Sequence, residues 1–228
     1  MFGLDEGIAS FSNGGTLLIV AAVSILLGLR HASDPDHLAA VSTMIASGRD
    51  RAARHAARLG FAWGLGHATT LFVFGLPVVL YSAYLPEAAQ KAAETTVGFV
   101  IVLLAVMLLT RWRRGFYRQT TPHLHARSRT SFQAYGIGLV HGMGGTAGVG
   151  LLLLATIDSR PLAIVALAIF AFGTAVSMTM LSTGFGFAFS RAPVRRSFDH
   201  LAPALGTLSL LFGVWYALGA QGLVPYVL

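Results

Sequence analysis

Long apolar stretches recur along the whole chain, and they limit the folds available to it more than any other feature. They lie at approximately Gly15–Ser47, Leu59–Leu85, Thr95–Thr110, Phe132–Ile157, Leu162–Phe189 and Leu201–Leu228. A transmembrane helix needs about 20 mostly apolar residues, and only 11% of this chain is charged, against about 25% in soluble domains. The sequence therefore predicts an all-α integral membrane protein with six transmembrane helices. It excludes a soluble enzyme and a cytosolic binding module.

The positions of the charged residues predict how these helices are oriented. The formal net charge is +7, and most basic residues lie in the first, third and fifth connecting segments: Arg49, Arg51, Arg54, Arg58, Arg111, Arg113, Arg114, Arg118, Arg127, Arg129, Arg191, Arg195 and Arg196. Cytoplasmic loops carry an excess of Lys and Arg, so these segments are predicted to be cytoplasmic and both termini to lie outside. Topology thus explains the positive charge without a nucleic-acid partner, and an anionic partner at the third segment is the alternative.

The whole chain, residues 1–228, is predicted to be one transmembrane domain in the cytoplasmic (inner) membrane of a bacterium. The first ten residues lack the basic segment of a signal peptide, so we expect the first span to be retained. The chain contains no cysteine, which excludes disulfide scaffolds and thiolate metal sites.

Two short fragments suggest an internal repeat. Gly-Leu-x-His occurs at Gly28–His31 in the first span and at Gly138–His141 in the fourth. Because three spans separate the copies, the second would be inverted in the membrane, as in the repeats of secondary transporters. We therefore expect a 3+3 inverted repeat with halves 1–115 and 128–228. Chance similarity between glycine- and leucine-rich helices is the alternative.

Ionisable residues cluster in the middle of the first span, where each costs about 2.5–3.5 kcal/mol on insertion scales. They are Arg30, His31, Asp34, Asp36 and His37. Neutral imidazole nitrogens and carboxylate oxygens suit nickel, cobalt, zinc or manganese, and the carboxylates balance the charge of a dication. The cluster therefore predicts a metal site. An internal salt bridge of Arg30 and the imidazoles with the aspartates, or a proton relay, are the alternatives.

The first helix is predicted to be broken near Asp34–Pro35. Asp34 is a favourable N-cap and Pro35 a favourable first helical residue. In a continuous helix, His31 and His37 would point about 240° apart around the axis. A break would let the imidazoles, the carboxylates and the freed His31 carbonyl oxygen converge, and irregular backbone at membrane depth is tolerated only where it lines a cavity or is buried in protein.

Two further histidines lie within spans, His67 and His141. We expect both to approach the first span, with His141 opening a glycine-rich helix. The glycines around His141 are expected to allow close helix packing, and a second unwound segment is the alternative. The predicted metal ligands are His31, Asp34, Asp36, His37, His67 and His141. The other histidines of the basic segments, His55, His123 and His125, are expected to be solvated.

At this point two motifs show a family resemblance. Residues Arg30–Leu38, Arg-His-Ala-Ser-Asp-Pro-Asp-His-Leu, resemble the Arg-His-Ala-x-Asp-Ala-Asp-His-Ile signature of the nickel/cobalt transporter family. Leu65–Thr69 resembles that family's second motif, Leu-Gly-His-Ser/Ala-Thr. The resemblance implies metal recognition by His31, Asp34, Asp36, His37 and His67.

The chain also departs from the family pattern. Pro35 replaces the usual alanine, and the later acidic element has become Gly142–Gly148, without acidic residues. Longer members have eight spans. The glycine-rich continuation after His141 resembles instead the short branch related to urease accessory membrane proteins.

The sequence therefore predicts a permease, not an enzyme, that moves Ni²⁺ or Co²⁺ into the cytoplasm as its substrate, with no bound cofactor. It lacks the Gly-x4-Gly-Lys-Ser/Thr element of ATP-binding loops, and inward movement of a dication gains about 4.6 kcal/mol per 100 mV. The expected partners are the ion and the lipid bilayer, with a homo-oligomer and a cytoplasmic metallochaperone as further candidates.

Several alternatives stay open. They are a proton-coupled metal exporter, a metal-delivery accessory membrane protein, and a haem-binding electron-transfer protein with His31, His67 and His141 as axial ligands. The motifs of an intramembrane hydrolase, such as His-Glu-x-x-His, are not evident in the sequence.

Overall fold

The computed structural model describes residues 3–46, 53–81, 86–115, 117, 130–142, 151, 154–155, 157 and 159–225, with side chains from residue 18 onward except that of residue 195. Every regular element in this part is a helix, which confirms the all-α prediction there. The helices are α1 Gly3–Ala32, α2 Pro35–Ala46, α3 Ala53–Tyr81, α4 Glu87–Arg113, α5 Ser131–His141, α6 Arg160–Ser190, α7 Ala192–Arg196 and α8 Phe198–Ala220.

Four of these helices, α3, α4, α6 and α8, are long and apolar enough to cross a membrane. The segments Leu18–Ala32 and Pro35–Ala46 pass the same test as a pair that bends by 58°, and they form a fifth candidate span. The predicted break at Asp34–Pro35 is therefore present. The fourth predicted span, Phe132–Ile157, is described as α5 up to His141 and lies partly outside the described residues, so the count of six spans stays a prediction.

The outer surface of the helices is apolar. Large side chains such as Phe172, Leu208 and Leu211 are 70%, 66% and 63% exposed. Apolar exposure on this scale marks a surface that contacts lipid or another protein. It agrees with helices that face a bilayer.

The helices pack through small residues. α3 lies against α5 and α6, α4 against α8, and α1 against α6, while α2 contacts α4, α6 and α8. A Cβ atom at Gly28 would lie 2.8 Å from the Thr174 backbone nitrogen, and one at Gly64 would lie 2.8 Å from the Ala175 carbonyl oxygen. Close backbone approach of this kind is typical of membrane helices.

Hydrogen bonds tie the ends of several helices together on one face of the bundle. The Tyr117 hydroxyl donates to the Ala46 carbonyl at 3.2 Å, and the Trp112 indole N–H donates to the Asp199 carbonyl at 2.8 Å. The ends of α2 and α4 and the start of α8 therefore share one face, which we call the basic face because its connecting segments carry most of the arginines. The start of α4 and the end of α8 meet at the other end, which we call the opposite face, where Gln221 donates to Thr95 at 2.7 Å.

Candidate metal site

Two helices end and a third begins close to the middle of α3. His67 stands midway along α3, α1 ends one residue after His31, and α5 ends at His141. α2 begins with Pro35 and carries Asp36 and His37 in its first turn, and Asp34 lies in the turn that precedes it. The structure brings all six predicted ligands to this place and buries them, with relative exposures of 3% for His31, 8% for Asp34, 1% for Asp36 and 0% for His37, His67 and His141.

A tight turn accounts for the break between α1 and α2. The backbone N–H of Asp34 donates to the His31 carbonyl at 3.2 Å, and the N–H of Leu38 donates to the Asp34 carbonyl at 3.0 Å. The turn brings the rings of His31 and His37 together, with their centroids 4.6 Å apart. The expectation of a freed His31 carbonyl is wrong, because the Asp34 N–H occupies that oxygen.

The first group of candidate ligands contains three imidazoles, and we call it the imidazole triad: His31, His37 and His67. Their ligand atoms lie within 4.8 Å of one another, and the two Nε2 atoms of His31 and His67 are 2.9 Å apart. Two nitrogens at right angles around one ion, each about 2.1 Å from it, would be about 3 Å apart. The pair is therefore spaced as two adjacent ligands of one metal ion would be. Asp34 flanks the triad, with Oδ2 3.3 Å from His31 Nδ1.

The second group adds a carboxylate, and we call it the mixed triad: Asp36, His37 and His141. Asp36 Oδ1 lies 3.0 Å from His37 Nδ1, and Asp36 Oδ2 lies 3.4 Å from His141 Nε2. His37 belongs to both triads. Its ring is 4.5 Å from that of His141 and 5.0 Å from that of His67, measured between centroids.

Several buried polar atoms of the two triads have no hydrogen-bond partner within the described part of the chain. They are His37 Nε2, His67 Nδ1 and His141 Nδ1, while Asp36 Oδ2 and His141 Nε2 have only each other, at 3.4 Å. A buried polar atom without a partner costs about 1–3 kcal/mol. A bound cation would remove this cost, and nitrogen and oxygen donors without thiolates suit divalent transition metals.

Glycines set the distance between α3 and α5. A Cβ atom at Gly66 would collide with the Tyr135 carbonyl, and one at Gly138 would collide with the Trp63 carbonyl. This contact carries His141 to His67, in agreement with the expected packing role of the glycines. The expectation that His141 opens a helix is wrong, because it is the last residue of α5.

Two aromatic side chains that the sequence did not single out enclose the imidazoles. Trp63, 1% exposed, lies 5.8 Å from His37 and 5.7 Å from His141 between ring centroids. Phe170, also 1% exposed, lies 5.9 Å from His31. Trp63 could have been found, because it precedes His67 by one helical turn and so shares its face. No comparable signal marks Phe170.

The remaining histidines lie away from the site or outside the described residues. His55 is half-buried near the start of α3, and His200 is exposed near the start of α8. His123 and His125, expected to be solvated, lie outside the described part of the chain.

Comparison with known proteins supports the family resemblance of the chain. Residues 17–129 match the family model NicO, described as high-affinity nickel-transport protein. Over this range, just under half of its length, the chain is similar to the nickel/cobalt transporter family. The matched range contains both motifs that predicted this resemblance, and it ends before His141.

Two curated relatives differ in how much they share with this chain. The urease accessory protein UreH of Bacillus sp. (strain TB-90) is 25% identical over 209 residues, which cover 88% of this chain and 91% of the relative. The cobalt transport protein NhlF of Rhodococcus rhodochrous is 30% identical over 100 residues, covering 42% of this chain and 27% of the relative. No solved structure matches the chain. Family and apolar helices together identify a multi-pass membrane protein of a metal-transport family.

Proposed function

We propose that this chain is a permease that carries Ni²⁺ or Co²⁺ across the cytoplasmic membrane into the cell. The ion is the substrate, and its ligands in transit are His31, Asp34, Asp36, His37, His67 and His141. The observation that carries the proposal is the convergence of these buried residues halfway along α3, with polar atoms that no described protein group satisfies. The chain acts as a carrier and not as an enzyme, and it uses no resident cofactor.

Two of the three helix ends at the site favour a cation, and Asp36 offsets the partial positive charge at the start of α2. α1 and α5 both end there, and the C-terminal end of a helix carries partial negative charge. Asp36 adds a full negative charge in the first turn of α2. With the basic face in the cytoplasm, the membrane potential draws a dication inward with about 4.6 kcal/mol per 100 mV, which favours import.

We also propose that the two halves, 1–115 and 128–228, form an inverted repeat. The helix contacts support it, because α1 of the first half packs on α6 and α5 of the second half packs on α3. Exchanging the halves converts the first contact into the second.

The atomic contacts support the same exchange. The closest backbone atoms to a Cβ at Gly28 include the Thr174 nitrogen and the Phe170 carbonyl oxygen, four residues apart. At Gly138 they are the His67 nitrogen and the Trp63 carbonyl oxygen, again four residues apart. The Gly-Leu-x-His fragments therefore make matching contacts, and each ends at a histidine of the site.

A second candidate function is metal supply to a urease. It is favoured by the UreH relative, which is similar to this chain over nearly the full length of both. This role needs the same ion and the same site, and a cytoplasmic metallochaperone would be its partner. A chain that acts by delivery alone would not raise the nickel content of cells that lack urease.

Uptake of radioactive nickel into cells that lack urease tests the proposal. We expect cells expressing the wild type to accumulate nickel, with cobalt competing better than zinc or manganese. His37→Ala should lower accumulation to the level of empty-vector cells, whereas His200→Ala, at an exposed histidine, should not change it. Wild-type cells that accumulate no more nickel than empty-vector cells would overturn import, and cells that accumulate less would indicate export.

A further inference from the structure

A groove runs between α4 and α5, lined by α4 from Val100 to Arg111 and by α5 from Gln133 to Val140, and it encloses about 540 Å³. We propose that it binds one anionic phospholipid, with an acyl chain between the two helices and the phosphate at Arg111. This lipid site is independent of the proposed transport function, because it requires only that the chain lies in a bilayer.

The groove is apolar along most of its length. Leu103 and Met107 line it from α4, and Val140 lines it from α5. It stays open because α5 packs closely on α3 but only loosely on α4, and because a Cβ atom at Gly136 would meet no atom within 4 Å. An apolar surface of this kind contacts lipid or another protein, and the charge at one end of the groove decides between them.

The polar residues of the groove lie together at the basic face. Arg111 is in the last turn of α4, and Gln133 is in the first turn of α5. An arginine has five N–H donors and binds phosphate oxygens in pairs, and exposed Arg113 and Arg114 add positive charge at the same helix end. No acidic residue is among the described residues that line the groove. Basic pockets between transmembrane helices bind anionic lipid headgroups, so the charge favours a phospholipid.

The length of the groove agrees with one leaflet of a bilayer. Val100 is the middle residue of α4, and it lies about 16 Å from Arg111 along the helix axis. One leaflet contributes about 15 Å of hydrocarbon. A phosphate at Arg111 therefore places the end of its acyl chain near Val100, whereas a soluble phosphate compound would occupy the polar end alone.

The apolar end of the groove lies next to the metal site. Val140 lines the groove, and the following residue, His141, is the last residue of α5 and a member of the mixed triad. α3 supports α5 on one side. An acyl chain in the groove would support α5 on the side that faces α4, and would thereby help to fix the position of His141.

Lipid binding to the purified, delipidated protein tests the inference. Native mass spectrometry compares anionic phosphatidylglycerol with zwitterionic phosphatidylcholine, and we expect the wild type to bind one phosphatidylglycerol in preference. Arg111→Gln should lower the affinity for phosphatidylglycerol about tenfold or more, the scale of a lost hydrogen bond to a charged group. The control Arg113→Gln, at an exposed arginine that does not line the groove, should change it less than about threefold, below that scale.

A second pair of variants tests the acyl chain instead of the headgroup. Gly136→Leu places a side chain in the open space of the groove, and leucine favours a helix more than glycine does, so the variant should fold but lose the preferred phosphatidylglycerol. Gly184 on α6 also has open space beside it and lies outside the groove. The control Gly184→Leu should therefore bind phosphatidylglycerol as the wild type does.

Three results would overturn the lipid site. Equal weakening by Arg111→Gln and Arg113→Gln, or unchanged binding in Gly136→Leu, would indicate general attraction of lipid to the basic face. Competition by inorganic phosphate at the concentration of the lipid would show that the acyl chain is not needed. A Gly136→Leu variant with an altered oligomer mass and unchanged lipid binding would show that a second copy of the chain covers the groove. None of these measurements involves nickel, so each leaves the proposed transport function untouched.

Discussion

Single glycines decide how closely α5 approaches α3, and two neighbouring glycines allow a matched test. A Cβ atom at Gly138 would collide with the Trp63 carbonyl and lie 2.9 Å from the His67 nitrogen, whereas one at Gly136 meets no atom within 4 Å. We expect Gly138→Ala to lower the free energy of unfolding by about 1–3 kcal/mol, the usual cost of overpacking. Gly136→Ala should leave it unchanged or raise it by up to about 1 kcal/mol. Thermal unfolding in detergent measures both, and equal effects would contradict the close approach.

The sequence alone identified those residues whose insertion into a membrane costs free energy. His31, His37, His67 and Asp36 stood out because an ionisable side chain in a bilayer requires a partner, and the structure brings them together. Phe170 could not be recognised, because an aromatic ring in an apolar helix carries no such cost. Its place beside the imidazoles depends on how α6 packs against α1.

Among the helices, α5 is short, and the stability of its first turn can be tested. Its first turn is held by a capping box, in which the Gln133 backbone N–H donates to the Thr130 hydroxyl at 3.2 Å and the Thr130 N–H donates to the Gln133 side chain at 3.2 Å. We expect Thr130→Ala to lower the free energy of unfolding by about 1 kcal/mol. Thr130→Ser keeps the hydroxyl and should stay close to the wild type in chemical denaturation. A Ser variant as unstable as the Ala variant would show that the methyl group, and not the cap, stabilises this turn.

The start of α2 and the end of α5 differ in how well the sequence predicts them. The start of α2 follows from Asp34 and Pro35, because a proline cannot continue the preceding helix and suits a first helical position. The end of α5 at His141 has no such local signal, since the following glycines could equally open a helix. Tertiary packing decides it: a Cβ atom at Gly142 would lie 2.7 Å from the His67 carbonyl oxygen.

For the whole molecule, hydropathy and charge predict the membrane class, and the contacts agree with the predicted alternation of connecting segments. Trp112 reaches Asp199 and Tyr117 reaches Ala46, so segments predicted to share a side do meet. The repeat was visible in only four residues of each half. The proposed repeat rests mainly on helix pairing, because side chains differ at the positions that it would match, such as His67 and Thr174.

Sidedness in the membrane can be tested directly, because the chain has no cysteine to remove. Ser159 precedes α6 and Ser197 precedes α8, so they lie at opposite faces of the bundle, and both are exposed. In intact cells, a membrane-impermeant maleimide should label Ser159→Cys but not Ser197→Cys, because the basic face is expected in the cytoplasm. Permeabilised cells should label both variants, which checks that each thiol is accessible. The reverse pattern in intact cells would place the basic face outside and would contradict the predicted topology.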